Sequence, residues 1–132
     1  MALLTFQHVS KTYDNVTKAL QDVSFSIEEG EFVSIIGPSG AGKSTLLRCV
    51  NRLVDASQGA IFFDGQNVTT ADKKQLREIR IKTAMIFQHY NLVDRLSVVE
   101  NVLHGRLGQK STLSGVVGQY TEEEKAEAFR IL

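Results

Sequence analysis

The sequence predicts an α/β fold built around one anion-binding loop, with a small antiparallel β part ahead of it. Three observations carry this. The stretch Gly37-Pro38-Ser39-Gly40-Ala41-Gly42-Lys43-Ser44 matches the phosphate-loop pattern G-x-x-x-x-G-K-[ST] in full. Its flanks agree: the apolar run Phe32 to Ile36 reads as a buried strand, and Leu46, Leu47, Val50, Leu53 and Val54 follow at helical spacing. Finally, Val23, Phe25 and Ile27 alternate with Asp22, Ser24 and Ser26, the pattern of an antiparallel strand with one wet face.

The chemistry of the loop explains its spacing. Glycines let successive backbone N–H groups turn inward toward an anion. The loop then enters a helix whose first N–H groups lack partners and carry partial positive charge. Lys43 adds a full charge that reaches terminal phosphates, and Ser44 offers a hydroxyl to magnesium, a hard cation that prefers oxygen. Such a loop implies a nucleoside triphosphate without saying which one or for what purpose.

The remaining elements follow in order. Leu3 to Val9 reads as a strand, and Tyr13 leads into the turn dipeptide Asp14-Asn15. Glu28 to Glu31 is a polar turn ahead of the loop strand. Ala60 to Phe63 is a short strand stopped by Asp64-Gly65, a tight-turn pair. Asp72 to Ile81 reads as a surface helix with Leu76, Ile79 and Arg80 on one side. Ala84 to Phe87 reads as another short buried strand, ending at Gln88. Ser97 with Glu100 forms a capping box for a helix from Val98 to about Leu107, with Gly108 at its end. Gln109 to Gln119 reads as a loop. Thr121 with Glu124 opens a second boxed helix through Ala126, Phe129 and Ile131.

Composition sets the outer limits. A chain of 132 residues has single-domain length, and 42% hydrophobic residues are enough for a core. Fifteen basic and fifteen acidic residues cancel, so there is no general drive toward nucleic acid or anionic lipid. The single cysteine, Cys49, excludes an internal disulfide and suits a reducing compartment. His8, His89 and His104 lack ligand-like neighbours, so no structural metal site is expected. No run approaches a membrane span, and the start lacks signal-peptide form. A cytoplasmic protein is the expectation.

From Leu4 to Leu132 the chain resembles the nucleotide-binding subunit of ABC transporters. The resemblance rests on Tyr13, the run Leu20-Gln21-Asp22-Val23-Ser24-Phe25, the phosphate loop, and Gln88 directly after an apolar run. It implies a P-loop ATPase core with an N-terminal antiparallel β subdomain, binding ATP and Mg2+. In that family's terms, residues 1–30 are the β part, 31–95 the core and 96–132 the start of the helical subdomain. The resemblance makes Ser39, Gly40, Ala41, Gly42, Lys43, Ser44 and Thr45 the phosphate cradle, with Lys43 also catalytic. It makes Gln88 the glutamine that approaches magnesium and the attacking water, and Tyr13 the aromatic that stacks on adenine. From spacing alone, Tyr13 is equally a tyrosine packed on its hairpin. The implied partners are transmembrane permease subunits, a second ATPase subunit and, indirectly, a solute-binding protein, at the cytoplasmic face of the inner membrane. Phe87 to Gly108 looks most like phosphonate importers, with importers of polar amino acids next.

The resemblance reaches roughly the first half of such a domain. There is no Leu-Ser-Gly-Gly-Gln signature: Leu113-Ser114-Gly115-Val116 resembles only its start. The later acidic pair that polarises water is also absent. A chain truncated in this way is expected to leave the Phe32 to Ile36 strand without its usual flanking strands and with unpaired backbone groups, to bind nucleotide weakly and to hydrolyse nothing by itself, since holding substrate does not lower a barrier. Two other classes compete. A GTPase needs Asp-x-x-Gly and Asn-Lys-x-Asp, neither of which occurs, and a small-molecule kinase needs an acceptor pocket and a lid that nothing marks. A nucleotide-binding module without catalysis fits the missing acidic groups.

Overall fold

Two long strands set the frame. In the computed structural model, which describes residues 1–88, 92–109 and 120–132, β1 runs Ala2–Tyr13 and β2 runs Thr17–Glu28. They form an antiparallel hairpin whose turn sits at Asp14 and Asn15, both at positive φ, and closes with Val16 N–H donating to Tyr13 O. Asn and Asp tolerate that backbone, which matches the twist of the flanking strands. Phe6 and Phe25 face each other across the hairpin and stack, with ring centroids 4.7 Å apart. Such cross-strand aromatic pairs add about 0.5–1.5 kcal/mol beyond the area they bury.

On the other side of β1 lies β3 (Gln58–Phe63), antiparallel, and β4 (Gln66–Asn67) follows through the Asp64-Gly65 turn. The sheet order is β2-β1-β3-β4. One face is covered by α1 (Lys43–Val50) and α2 (Lys73–Lys82), whose Cys49, Leu76 and Ile79 join Phe6, Val9 and Ile61 in the core. Burial pushes the Cys49 thiol pKa up, as expected of a cysteine acting as a small hydrophobe.

Two helix ends explain how α1 is held. Arg52 stands in the left-handed region at φ 52, and Leu53 N–H donates back to Arg48 O while Arg52 N–H donates to Cys49 O. This is a Schellman stop with arginine where glycine is usual. The helix therefore ends at Val50 rather than running to Val54, and Leu47 and Leu53 stay half exposed. From α2, Arg80 donates to Asn51 O and Arg52 O, each at 3.0 Å, placing a cation on the negative end of α1. Arg52 in turn donates to Val68 O and Ala71 O, fixing the loop before α2. Asp72 caps α2, with Gln75 completing the box.

Both short apolar runs depart from the expectation of buried strands. Phe32 to Ile36 and Ala84 to Phe87 belong to no ladder among the described residues, and Phe32, Ile36 and Ile86 are almost fully exposed. Apolar composition favours a strand only where a neighbour offers pairing and a surface to bury against. Here β1 is already paired on both edges, by β2 and by β3.

The chain divides into two compact units, Met1–Thr83 and Ala84–Leu132. In the second, α3 (Val98–His104) is boxed by Ser97 and Glu100, and α4 (Glu122–Ile131) by Thr121 and Glu124. α3 is shorter than the expected 98–107 span: Gly105 caps it, and Leu107–Gln109 form a 3-10 turn that takes in Gly108. α3 and α4 pack on each other, burying Leu103 and Ala128, while Phe129 and Ile131 remain exposed. The expected signature-like segment 113–116 lies outside the described residues, as do His89, Tyr90 and Asn91.

Candidate functional site

The phosphate-loop sequence forms a turn that feeds α1. Ala41 N–H donates to Pro38 O, and Gly42 takes φ 98 as the residue before the helix. A β-carbon at Gly42 would collide with the backbone oxygen of Ala19, so β2 and the loop touch backbone to backbone and only glycine fits. The first α1 ladder bond runs from Leu46 N–H to Gly42 O, so the N–H groups of Lys43, Ser44 and Thr45 precede the ladder. Gly42 brings no side chain to cap them. That leaves an uncapped, electropositive helix start facing a cleft.

Lys43 is half-buried, and its ammonium bridges Gly37 O at 2.6 Å and Pro38 O at 2.7 Å. These bonds hold the lysine along the inside of the loop. Across the cleft stands Tyr13, the last residue of β1, whose hydroxyl lies 3.2 Å from Thr45 Oγ1 at the start of α1. The Lys11 ammonium sits over the Tyr13 ring, 5.1 Å from its centroid. Between Tyr13 and the loop opens a cleft of about 300 Å³, lined by Thr17 to Ala19 and by Ser39 to Thr45. No carboxylate lines it. The structure thus gathers Tyr13 and Ser39 to Thr45 around one hollow.

Gln88 belongs to the second unit, where it is an exposed turn residue after the unpaired run Ala84 to Phe87. The same unit carries an apolar hollow of about 330 Å³ lined by Leu92, Val93, Leu96, Val98 and Val102. Asn101 shapes its rim. The Asn101 carboxamide accepts from Val93 N–H at 2.9 Å and donates to Val93 O, Leu96 O and Ser97 O.

Known proteins can now be set beside this geometry. The family described as ABC transporter matches residues 20–131. The chain belongs to the ABC transporter family. Among its relatives, phosphonates import ATP-binding protein PhnC 2 of Oceanobacillus iheyensis is 58% identical over 132 residues, covering 100% of this chain and 52% of that protein. Phosphonates import ATP-binding protein PhnC of Treponema denticola is 54% identical over 130 residues, covering 98% and 51%. The chain thus spans about half the length of the curated relatives it matches. Among solved structures, the post-hydrolysis dimer of the ATP-binding cassette MJ0796, bound to ADP and Pi, is 34% identical with a TM-score of 0.78, covering 96% of this chain and 54% of that one. A nucleotide-free ATP-binding cassette from an ABC transporter is 28% identical with a TM-score of 0.76, covering 100% and 53%.

The fold is therefore that of an ABC transporter ATP-binding cassette over the part this chain spans. Within it, sequence reasoning missed three groups. Lys18 lines the cleft beside the loop. Arg80 pins the far end of the loop helix from 29 residues away. Asn101 organises the segment before α3. A carboxamide four residues after the capping serine was a readable sign of the last. Nothing local in the sequence points to the other two.

Proposed function

We propose that this chain carries the nucleotide-binding function of an ABC importer, in which ATP binding and hydrolysis drive uptake of phosphonate-type solutes. The observation that carries the reading is the cleft itself. A half-buried helix start with three free N–H groups, a lysine inside the loop and an aromatic ring opposite form one hollow without a carboxylate. The phosphonate class rests on the relatives named above, at 58% and 54% identity.

In this reading the adenine stacks on Tyr13, and the phosphates lie along Ser39 to Thr45, on the free N–H groups of Lys43, Ser44 and Thr45. Lys43 meets the terminal phosphates, neutralising charge that grows in the transition state. The residues fit magnesium in part, since the Ser44 hydroxyl stands among the cleft's lining groups and a hard cation takes oxygen. When bound, the ion would supply positive charge to offset that of the phosphates. Gln88 orients the attacking water and relays closure to the permease. The Leu92 to Val102 hollow faces a cytoplasmic loop of that permease. The assembly places the chain at the cytoplasmic face of the membrane, with a second ATPase subunit opposite and a solute-binding protein on the far side. Residues 1–30, 31–95 and 96–132 then serve as β part, core and helical start.

The test is uptake. Cells lacking their own phosphonate-importer ATPase, and supplied with a full-length subunit carrying these 132 residues, should grow on a phosphonate as sole phosphorus source. The Lys43→Ala version should not grow. Growth on polar amino acids instead, with no phosphonate uptake, would sink the solute assignment.

A further inference from the structure

We propose that Lys18 is a nucleotide-binding residue that meets the α-phosphate, a role separate from that of Lys43. The proposal rests on the nucleotide reading of the cleft and adds a second cation to it. Lys18 lies on β2 in register with Thr12, one residue before Ala19, whose carbonyl abuts Gly42 of the loop. Its side chain borders two hollows, the cleft shared with Tyr13 and an adjoining one lined by Leu20, Ile35, Ala41 and Leu46.

The other cations near the cleft are engaged. Lys43 donates to Gly37 O and Pro38 O, and Lys11 sits over the Tyr13 ring. Lys18 is exposed and its ammonium has no hydrogen bond or ion pair among the described residues, and no acidic residue is among those that line either hollow. A free ammonium in a hollow without carboxylates raises the local potential for an anion.

Position then selects which anion. The ring of Tyr13 marks the base end of the cleft, and the Lys43 ammonium marks the terminal-phosphate end. Lys18 lines the same cleft as both, and a nucleotide threaded from the ring to that ammonium carries its ribose and α-phosphate along this shared wall. A flexible four-carbon stem lets the ammonium reach that group as a point charge.

Titration of the chain with ATP, ADP, AMP and adenosine tests this, comparing the parent with Lys18→Gln, Lys18→Arg and Lys43→Ala. Lys18→Gln should weaken ATP, ADP and AMP by one common factor, about 2- to 5-fold, because all three share the α-phosphate. The size follows from a single exposed charge contact. Adenosine should bind as before, Lys18→Arg should restore affinity, and the gap should close near 1 M salt, where screening acts over about 3 Å. A larger loss for ATP than for AMP would move Lys18 to the terminal phosphates and overturn the assignment. An equal loss of adenosine would make Lys18 a packing residue. Unchanged affinities in Lys18→Gln, with ATP lost in Lys43→Ala, would remove Lys18 and leave the nucleotide reading intact. Undiminished ATP binding in Lys43→Ala would remove that reading and this proposal with it.

Discussion

The hydroxyl of Tyr13 and the hydroxyl of Thr45 meet at 3.2 Å, although 32 residues separate them. The contact joins the end of the β1–β2 hairpin to the first turn of the loop helix, so the ring's position is set relative to the glycine loop.

Tyr13→Phe should keep most of the ATP affinity. It removes one exposed hydrogen bond, worth about 0.5–1.5 kcal/mol, and leaves the ring. Tyr13→Ala also removes the stacking surface and should lose about tenfold or more, at about 1.4 kcal/mol per factor of ten. Calorimetric titration separates the two. If Phe binds as poorly as Ala, the ring is not the base platform.

Gly59 on β3 has φ 88, and a β-carbon there would strike the backbone oxygens of His8 and Gln7. Gly65 has φ 76 with open space around it. Both alanine variants carry backbone strain of about 1–3 kcal/mol, but only Gly59→Ala adds a clash against backbone. Thermal melting should therefore place Gly59→Ala clearly below Gly65→Ala. Equal melting points would mean that β1 gives way to the new methyl without cost.

The capping boxes of α3 and α4, the Asp14-Asn15 and Asp64-Gly65 turns and the alternation along β2 were legible because each depends on residues within a few positions. The glycine loop was legible as a turn feeding a helix for the same reason, and Ser39 to Thr45 line one hollow. Phe32 to Ile36 was legible in part, since the missing flanking strands imply an unpaired run but not the loss of strand form. Its apolar character announces a strand, but pairing is a property of its neighbours, and among the described residues it has none. The end of α1 was also hidden. Arg52 takes the left-handed position that a reader assigns to glycine, and its partners Val68 and Ala71 are 16 and 19 residues away. Lys18 carries no local sign of its place beside the loop, which depends on Ala19 of β2 meeting Gly42.

Asn101 lends itself to a graded test. Asn101→Asp keeps an oxygen for Val93 N–H and loses the donations to Val93 O, Leu96 O and Ser97 O, whereas Asn101→Ala loses all four bonds. Hydrogen exchange at Val93 should accelerate strongly in Asn101→Ala and less in Asn101→Asp. Equal rates in both would show that the Val93 amide is protected by something other than this carboxamide.

Acid should loosen α3 through Glu100. Hydrogen bonds from Ser97, backbone first, hold the Glu100 carboxyl below its ordinary value. Because the folded pKa is depressed, this stabilisation is present above the ordinary glutamate pKa and is lost as pH falls through the lowered one. Amide exchange at the start of α3, corrected for its intrinsic pH dependence, should rise across that window. Glu100→Gln keeps a side-chain acceptor and should flatten the response. A rise that persists unchanged in Glu100→Gln would assign the acid sensitivity to another group.

The grip of Arg80 on Asn51 O and Arg52 O bears on how this fold comes apart. A helix as short as Lys43–Val50 does not persist alone in water. It survives through packing and through a guanidinium from α2, so the two helices are expected to open as one cooperative unit. Ligand at the front of α1 is then felt at α2. A nucleotide held at 100 times its dissociation constant stabilises the bound form by about 2.7 kcal/mol. That increment should appear as slowed exchange of amides around Arg80, on a helix that does not line the cleft.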